Sequence, residues 1–186
     1  MIDGSGTGWY DADVAIDDGK IVAIGRIDSK HGREKIDAKG LIVAPGFVDM
    51  MGQTATPMLR RPETALNLLT QGITTINAGE GSSAAPLDAK EGRDEGWTTM
   101  AEYFQLLELK GLPVNVVQTI GHTQVRRMVI GDTDRKPTEE EMEQMRELIR
   151  EAMDAGAIGL STALIYPPAI YATTDEIAEL AKVAGE

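Results

Sequence analysis

The chain has 186 residues, enough for one good core or part of one, and its 42% hydrophobic content with only 4% aromatic residues is that of a globular protein. Eighteen Lys+Arg against 30 Asp+Glu leave a formal charge of −12, which offers no basic footprint to a phosphate backbone and is repelled by anionic membranes, so neither nucleic acid nor membrane is expected as a partner. With no Cys there is no disulfide framework or thiolate metal site, no apolar run nears the ~18–20 residues of a bilayer span, and the first six residues lack a signal-like pattern, so a cytoplasmic location is the default expectation.

Residues 12–25 read as two short strands joined by an Asp-Gly turn at Asp17-Asp18-Gly19. His31, set among Ser, Lys and Gly, reads as an exposed turn residue, and the runs 35–38 and 41–44 follow as further extended segments. After Pro45 strands alternate with helices. Strands are expected at 47–51, 74–78, 114–120 and 157–163, each short and apolar. Pro62 opens a helix that runs to Thr70 and stops near Gly72; Thr99 with Glu102 and Thr138 with Glu141 form capping boxes for the next two. In the last of these, Met142, Met145, Ile149, Ala152 and Gly156 share a face, read as a core stripe rather than a methionine-rich ligand surface. Thr173 with Glu176 starts a fourth helix, expected to continue to the last residue, Glu186. The order implies an α/β fold with parallel strands and right-handed crossovers.

Four strand–helix units are half of the eight that close a TIM-type (β/α)8 barrel, in which reactive groups sit on the loops after the strands. A self-contained four-stranded open sheet is the other architecture the pattern allows. The first such loop ends the stretch Pro45-Gly46-Phe47-Val48-Asp49-Met50-Met51-Gly52-Gln53. Side chains two apart on a strand share a face, but a Met51 thioether and a Gln53 amide make a poor grip on a borderline divalent cation. The second loop, Gly79-Glu80-Gly81-Ser82-Ser83-Ala84-Ala85-Pro86, carries Glu80, a candidate metal ligand through oxygen or a plain solvated carboxylate. Its Gly-x-Gly is too short for a dinucleotide fingerprint. The third, Gly121-His122-Thr123-Gln124-Val125-Arg126, offers His122 as a site residue or a hydrogen-bonded loop brace, and Arg126 as a partner for a substrate carboxylate or a loop-bracing cation. The fourth runs from Gly156 through Ser161 and Tyr166 to Pro168. Ser161 is rejected as a nucleophile because the elbow lacks its second Gly and a His partner.

The 45–53 stretch and the 156–172 loop resemble the metal-dependent amidohydrolase superfamily, most closely its N-acyl-D-amino-acid deacylase (D-aminoacylase) branch. In that branch the Pro-Gly-Phe-Ile/Val-Asp strand continues into His-x-His, where Met51 and Gln53 stand here as lost metal positions. Its second loop carries a metal-binding Cys for which Glu80 is the natural substitute. Its third loop is similar to the 121–126 segment, which makes His122 and Arg126 candidate substrate-binding residues, and its fourth-loop signature implies that Tyr166 lines the substrate cleft, core packing with a hydrogen-bonded hydroxyl being the other reading of that residue.

The resemblance implies the N-terminal half of the barrel at 46–186, preceded by part of a small β-sandwich at 1–45. It implies hydrolysis of the C–N bond of an N-acyl-D-amino acid by a water activated on a divalent metal, one zinc, in the full-length protein. The catalytic Asp and two further histidines would come from later strands, so no catalytic residue is expected in this chain, which reads as truncated and inactive by itself. Exposed strand edges make pairing into a homo-oligomer an expectation. A non-catalytic binding protein on the same scaffold, and a cyclic-amide hydrolase of the hydantoinase or dihydroorotase kind, are the alternatives.

Overall fold

The structure is a computed structural model that describes residues 1–186 apart from Ser29, His31 and Thr54, so the expectation for His31 lies outside the described residues. The chain divides into two compact units, Met1–Gly46 and Phe47–Glu186.

In the first unit β1 (Asp13–Asp17) and β2 (Lys20–Gly25) pair antiparallel, closing at Asp17 opposite Lys20. Asp18 (φ 47°) and Gly19 (φ 71°) both take positive φ, the geometry that lets a two-residue turn follow the twist of its strands. The expected segments 35–38 and 41–44 are not strands. An extended run becomes a strand only when a neighbour supplies a ladder, and the described bonds here amount to isolated contacts such as Ile2 N to Val43 O at 2.8 Å.

The second unit has the alternating order expected of an α/β fold. Parallel strands β3 (Phe47–Asp49), β4 (Ile73–Ala78) and β5 (Asn115–Gln118) form one sheet in that order, and β6 (Ile120–Gly121) pairs parallel with β7 (Leu160–Ser161). At Thr119 the chain changes partners: its N–H still reaches Ala78 O at 2.9 Å, whereas the Ile120 N–H turns to Gly159 O at 2.8 Å. The strands therefore neighbour one another in chain order. Two expected strands are shorter than read, 47–51 ending at Asp49 and 157–163 reduced to two residues, while 114–120 is split at Thr119.

Helix α1 (Thr56–Arg60), with Pro57 in its first turn, was not expected. The helix opened by Pro62 is a 3-10 turn (Pro62–Ala65) running into a single turn, α2 (Leu66–Leu69). A further unexpected helix, α3 (Ala89–Glu95), is capped by Asp88, whose carboxylate accepts from the Lys90 and Glu91 amides. Both expected capping boxes are present, Thr99/Glu102 on α4 (Met100–Lys110) and Thr138/Glu141 on α6 (Glu139–Asp154). Met142, Met145, Ile149 and Ala152 of α6 are buried, but Gly156 lies beyond the helix and is exposed. The stretch after β6, read as a loop, is helix α5 (His122–Ile130). Helix α7 (Thr174–Val183) is capped by Thr173 and ends at Ala184, short of Glu186.

Helices and strands enclose a core that includes Ile76, Tyr103, Ile120, Val125, Met145, Ile149 and Leu180. Each such aliphatic side chain contributes roughly 1.5–3 kcal/mol on burial. Trp97 and Tyr103 stack tilted with centroids 5.1 Å apart. Among the described residues no helix is long and apolar enough to cross a membrane.

Candidate functional site

The loops that follow the strands are joined to one another around residues 79–83. The Gly79 N–H bonds to Gln53 O at 3.1 Å, bringing the first loop against the second. Ser161 ties the fourth to the second: its hydroxyl donates to Gly79 O and accepts the Gly81 N–H at 3.0 Å. From the end of β6 and the first turn of α5, Gly121 N–H reaches the Ser83 hydroxyl at 3.0 Å and Thr123 N–H reaches Gly81 O at 2.9 Å. The approach is close enough to require glycine. A Cβ on Gly121 would lie 2.4 Å from Ser83 N, and one on Gly79, at φ 94°, would lie 2.3 Å from Thr119 O.

Beneath these loops lies a buried polar cluster. Arg126 is fully buried, and one terminal nitrogen donates to both Glu176 oxygens at 2.6 Å while the other donates to Arg135 O at 2.6 Å. Glu176 Oε1 is also 3.0 Å from His122 Nε2, and His122 Nδ1 is 3.0 Å from the Thr162 hydroxyl. Burial works to raise the Glu176 carboxyl, but the hydrogen bonds from His122 and Arg126 and the guanidinium charge outweigh it, leaving the group below the usual carboxylate range.

The sequence-predicted residues divide sharply. Met51, Gln53, Glu80 and Tyr166 are exposed, and the Gly79–Gln53 backbone bond sets Gln53 next to the loop that carries Glu80, whereas His122 and Arg126 meet at Glu176. Tyr166, 60% exposed, is not packed in the core. His122 and Arg126 are sealed in, so the guanidinium suggested as a partner for a substrate carboxylate already serves Glu176. His122, the first residue of α5, bridges the Thr162 hydroxyl and Glu176. Ser161 spends its hydroxyl proton on a carbonyl, in keeping with its rejection as a nucleophile.

Sequence reasoning missed Glu176, Ser83 and Thr162. Small hydroxyl residues beside glycines at strand ends were a usable signal for the last two, whereas Glu176 was hidden by its place three residues after a helix cap. Among the described residues no three His, Asp or Glu side chains gather into a group able to hold a metal ion. A cavity of about 430 Å³ opens elsewhere, between α4 and the approach to β5, lined by Phe104, Leu107, Gly111, Val114 and Gln118 among others.

Comparison with known proteins gives the chain a family. Residues 34–185 match the amidohydrolase family model. D-aminoacylase from Alcaligenes xylosoxydans xylosoxydans is 36% identical over 98% of this chain and 40% of its own length, and N-acyl-D-aspartate deacylase from the same organism is 39% identical over 97% and 38%. The crystal structure of N-acyl-D-glutamate deacylase from Bordetella bronchiseptica, complexed with zinc and a phosphonate mimic of the tetrahedral intermediate, has a TM-score of 0.89 at 34% identity, covering 98% of this chain and 40% of that one. The chain thus spans about 40% of the length of the relatives it matches. It belongs to the amidohydrolase family.

Proposed function

We propose that the protein containing this chain hydrolyses the amide bond of an N-acyl-D-amino acid, and that this chain supplies four successive strand–helix units of a (β/α)8 barrel and part of a small β-sandwich. The observation that carries this reading is the set of four strand-end segments knit around residues 79–83, on a backbone that follows part of N-acyl-D-glutamate deacylase along 98% of this chain. Barrel enzymes place their chemistry at that end of the strands. In the reaction water adds to the acyl carbonyl, the C–N bond breaks, the amine leaves with a proton, and a carboxylate and a D-amino acid result.

A zinc centre does not fit the residues of this chain. Met51 and Gln53 offer a thioether and a neutral amide, Glu80 is a lone exposed carboxylate, and no three-donor group exists among the described residues. This chain's part in the reaction is therefore to shape the site: the loop 79–83 sets its floor and the exposed Tyr166 phenol lines it. The same missing donors favour a second reading, a scaffold of this family that binds a small molecule without hydrolysing it.

The test is incubation of the protein expressed from its whole reading frame, with added zinc, with N-acetyl-D-glutamate, N-acetyl-D-aspartate and N-acetyl-D-methionine, following the free amino acid by chiral chromatography. Release from a D-substrate and not from its L-isomer is expected. No release, together with binding of an N-acyl-D-amino acid by calorimetry, would move the assignment to the non-catalytic scaffold. Turnover of a hydantoin or dihydroorotate alone would overturn it in favour of a cyclic-amide hydrolase.

A further inference from the structure

His122 joins three pieces of the second unit that are distant in sequence: the end of β6, the 162–173 connection after β7, and the first turn of α7. The chemistry of its neighbours fixes which nitrogen carries the proton. Glu176, bound by Arg126 through both oxygens, is ionised and can only accept, so the Nε2 that faces it must be a donor. The Thr162 hydroxyl, a proton donor that faces the other ring nitrogen, finds its acceptor there. Nδ1 is therefore bare and accepts the Thr162 hydroxyl at 3.0 Å.

We propose that His122 is a positioning residue. Its neutral imidazole, protonated on Nε2 and oriented by Glu176, grips the Thr162 hydroxyl through Nδ1 and so fixes the connection that carries Tyr166. Buried Pro168 and Ala169 anchor the middle of the connection, but the stretch between Thr162 and them is more open: the Leu164, Ile165 and Tyr166 side chains are 48–74% exposed, and the nearest polar tether beyond the Thr162 bond is Arg127 to Pro167 O at 3.4 Å. The consequence for hydrolysis rests on Tyr166 lining the substrate site as proposed above, but the positioning itself does not.

The experiment needs no turnover. With histidine labelled in both ring nitrogens, the chain gives two imidazole spin systems, and His31→Gln leaves that of His122 alone. The expected spectrum at neutral pH is one protonated nitrogen and one bare nitrogen, with the proton on Nε2. Thr162→Val, at an exposed position, should move the bare-nitrogen resonance, and Thr162→Ser should restore it. In the same variants, hydrogen exchange at the Tyr166, Ile170, Tyr171 and Ala172 amides should rise about tenfold for Val, as for loss of one hydrogen bond, and stay at the parental rate for Ser, with α4 unchanged. An imidazolium, an Nδ1–H tautomer, or parental exchange in Thr162→Val would overturn the proposal. Failure of the deacylase assay would leave all these readouts intact, so the two ideas fall separately.

Discussion

Arg126 and Glu176 are tolerable in the interior only as a pair. Their contact through both carboxylate oxygens, the bond to Arg135 O and the His122 ring satisfy most of the polar atoms that burial strips of water, although Arg126 Nε has no partner. Glu176→Gln leaves the guanidinium buried without its countercharge, and a destabilisation of about 3–5 kcal/mol is expected from urea unfolding. The sign with pH follows from the carboxyl being held below its usual value of 4.5: its contribution is complete above pH 4.5 and is lost as the pH falls through the depressed folded value. The parent should thus lose stability on acidification more steeply than the variant, and parallel pH profiles would contradict this account. Gly121 is constrained sterically instead. Its absent Cβ would meet backbone atoms of Ser82 and Ser83 at 2.4–2.7 Å, so Gly121→Ala should cost about 1–3 kcal/mol in the same assay.

At the scale of elements, α6 shows a device that a local reading finds and a local experiment can test. Thr138 accepts the Glu141 amide at 3.2 Å, Glu141 returns a bond to the Thr138 N–H at 2.8 Å, and three glutamates in the first turn face the positive end of the helix dipole. Thr138→Ala should lower stability by about 1 kcal/mol and Thr138→Ser should not, as read by thermal unfolding at neutral pH. The Arg135 guanidinium, with the Thr138 amide, holds Glu141 down at about 2, so this box persists through mild acid and is lost only as the pH falls through about 2. Such caps were legible because all their partners lie within four residues, and the Asp-Gly hairpin was legible for the same reason. By the same rule α3 could have been found from Asp88 and Glu91. Helix α5 could not: its N-cap, Gly121, makes no side-chain bond, and of its first five residues, all buried, only Val125 is apolar, so no apolar stripe marks a period there. Glu176 marks the limit of local reading at the site. The Thr173-x-x-Glu176 spacing predicts a reciprocal cap, and Thr173 does accept the Glu176 amide at 3.2 Å, but the carboxylate is drawn to His122 and Arg126, 54 and 50 residues earlier.

For the molecule as a whole, the question is whether a family scaffold seen with zinc in a relative implies a metal on this polypeptide. The strand-end loops have the backbone arrangement for a site, but donor chemistry decides occupancy, and a structural or catalytic zinc needs three or more N, O or S ligands. Here the exposed groups near the loop 79–83 are an amide at Gln53 and a single carboxylate at Glu80, while the His122 ring is sealed against Glu176 and Thr162. The formal charge of −12 will draw divalent cations weakly over the whole surface, so the measurement must separate retention from loose association. After equilibration with zinc and gel filtration at 0.15 M salt, where the Debye length is about 8 Å, the 186-residue chain should keep well under one zinc per molecule by mass spectrometry of the metal. Glu80→Gln should leave that value unchanged. Stoichiometric zinc that Glu80→Gln removes would mean that the loops assemble a centre from donors the geometry does not bring together, and would return Glu80 to the role of ligand.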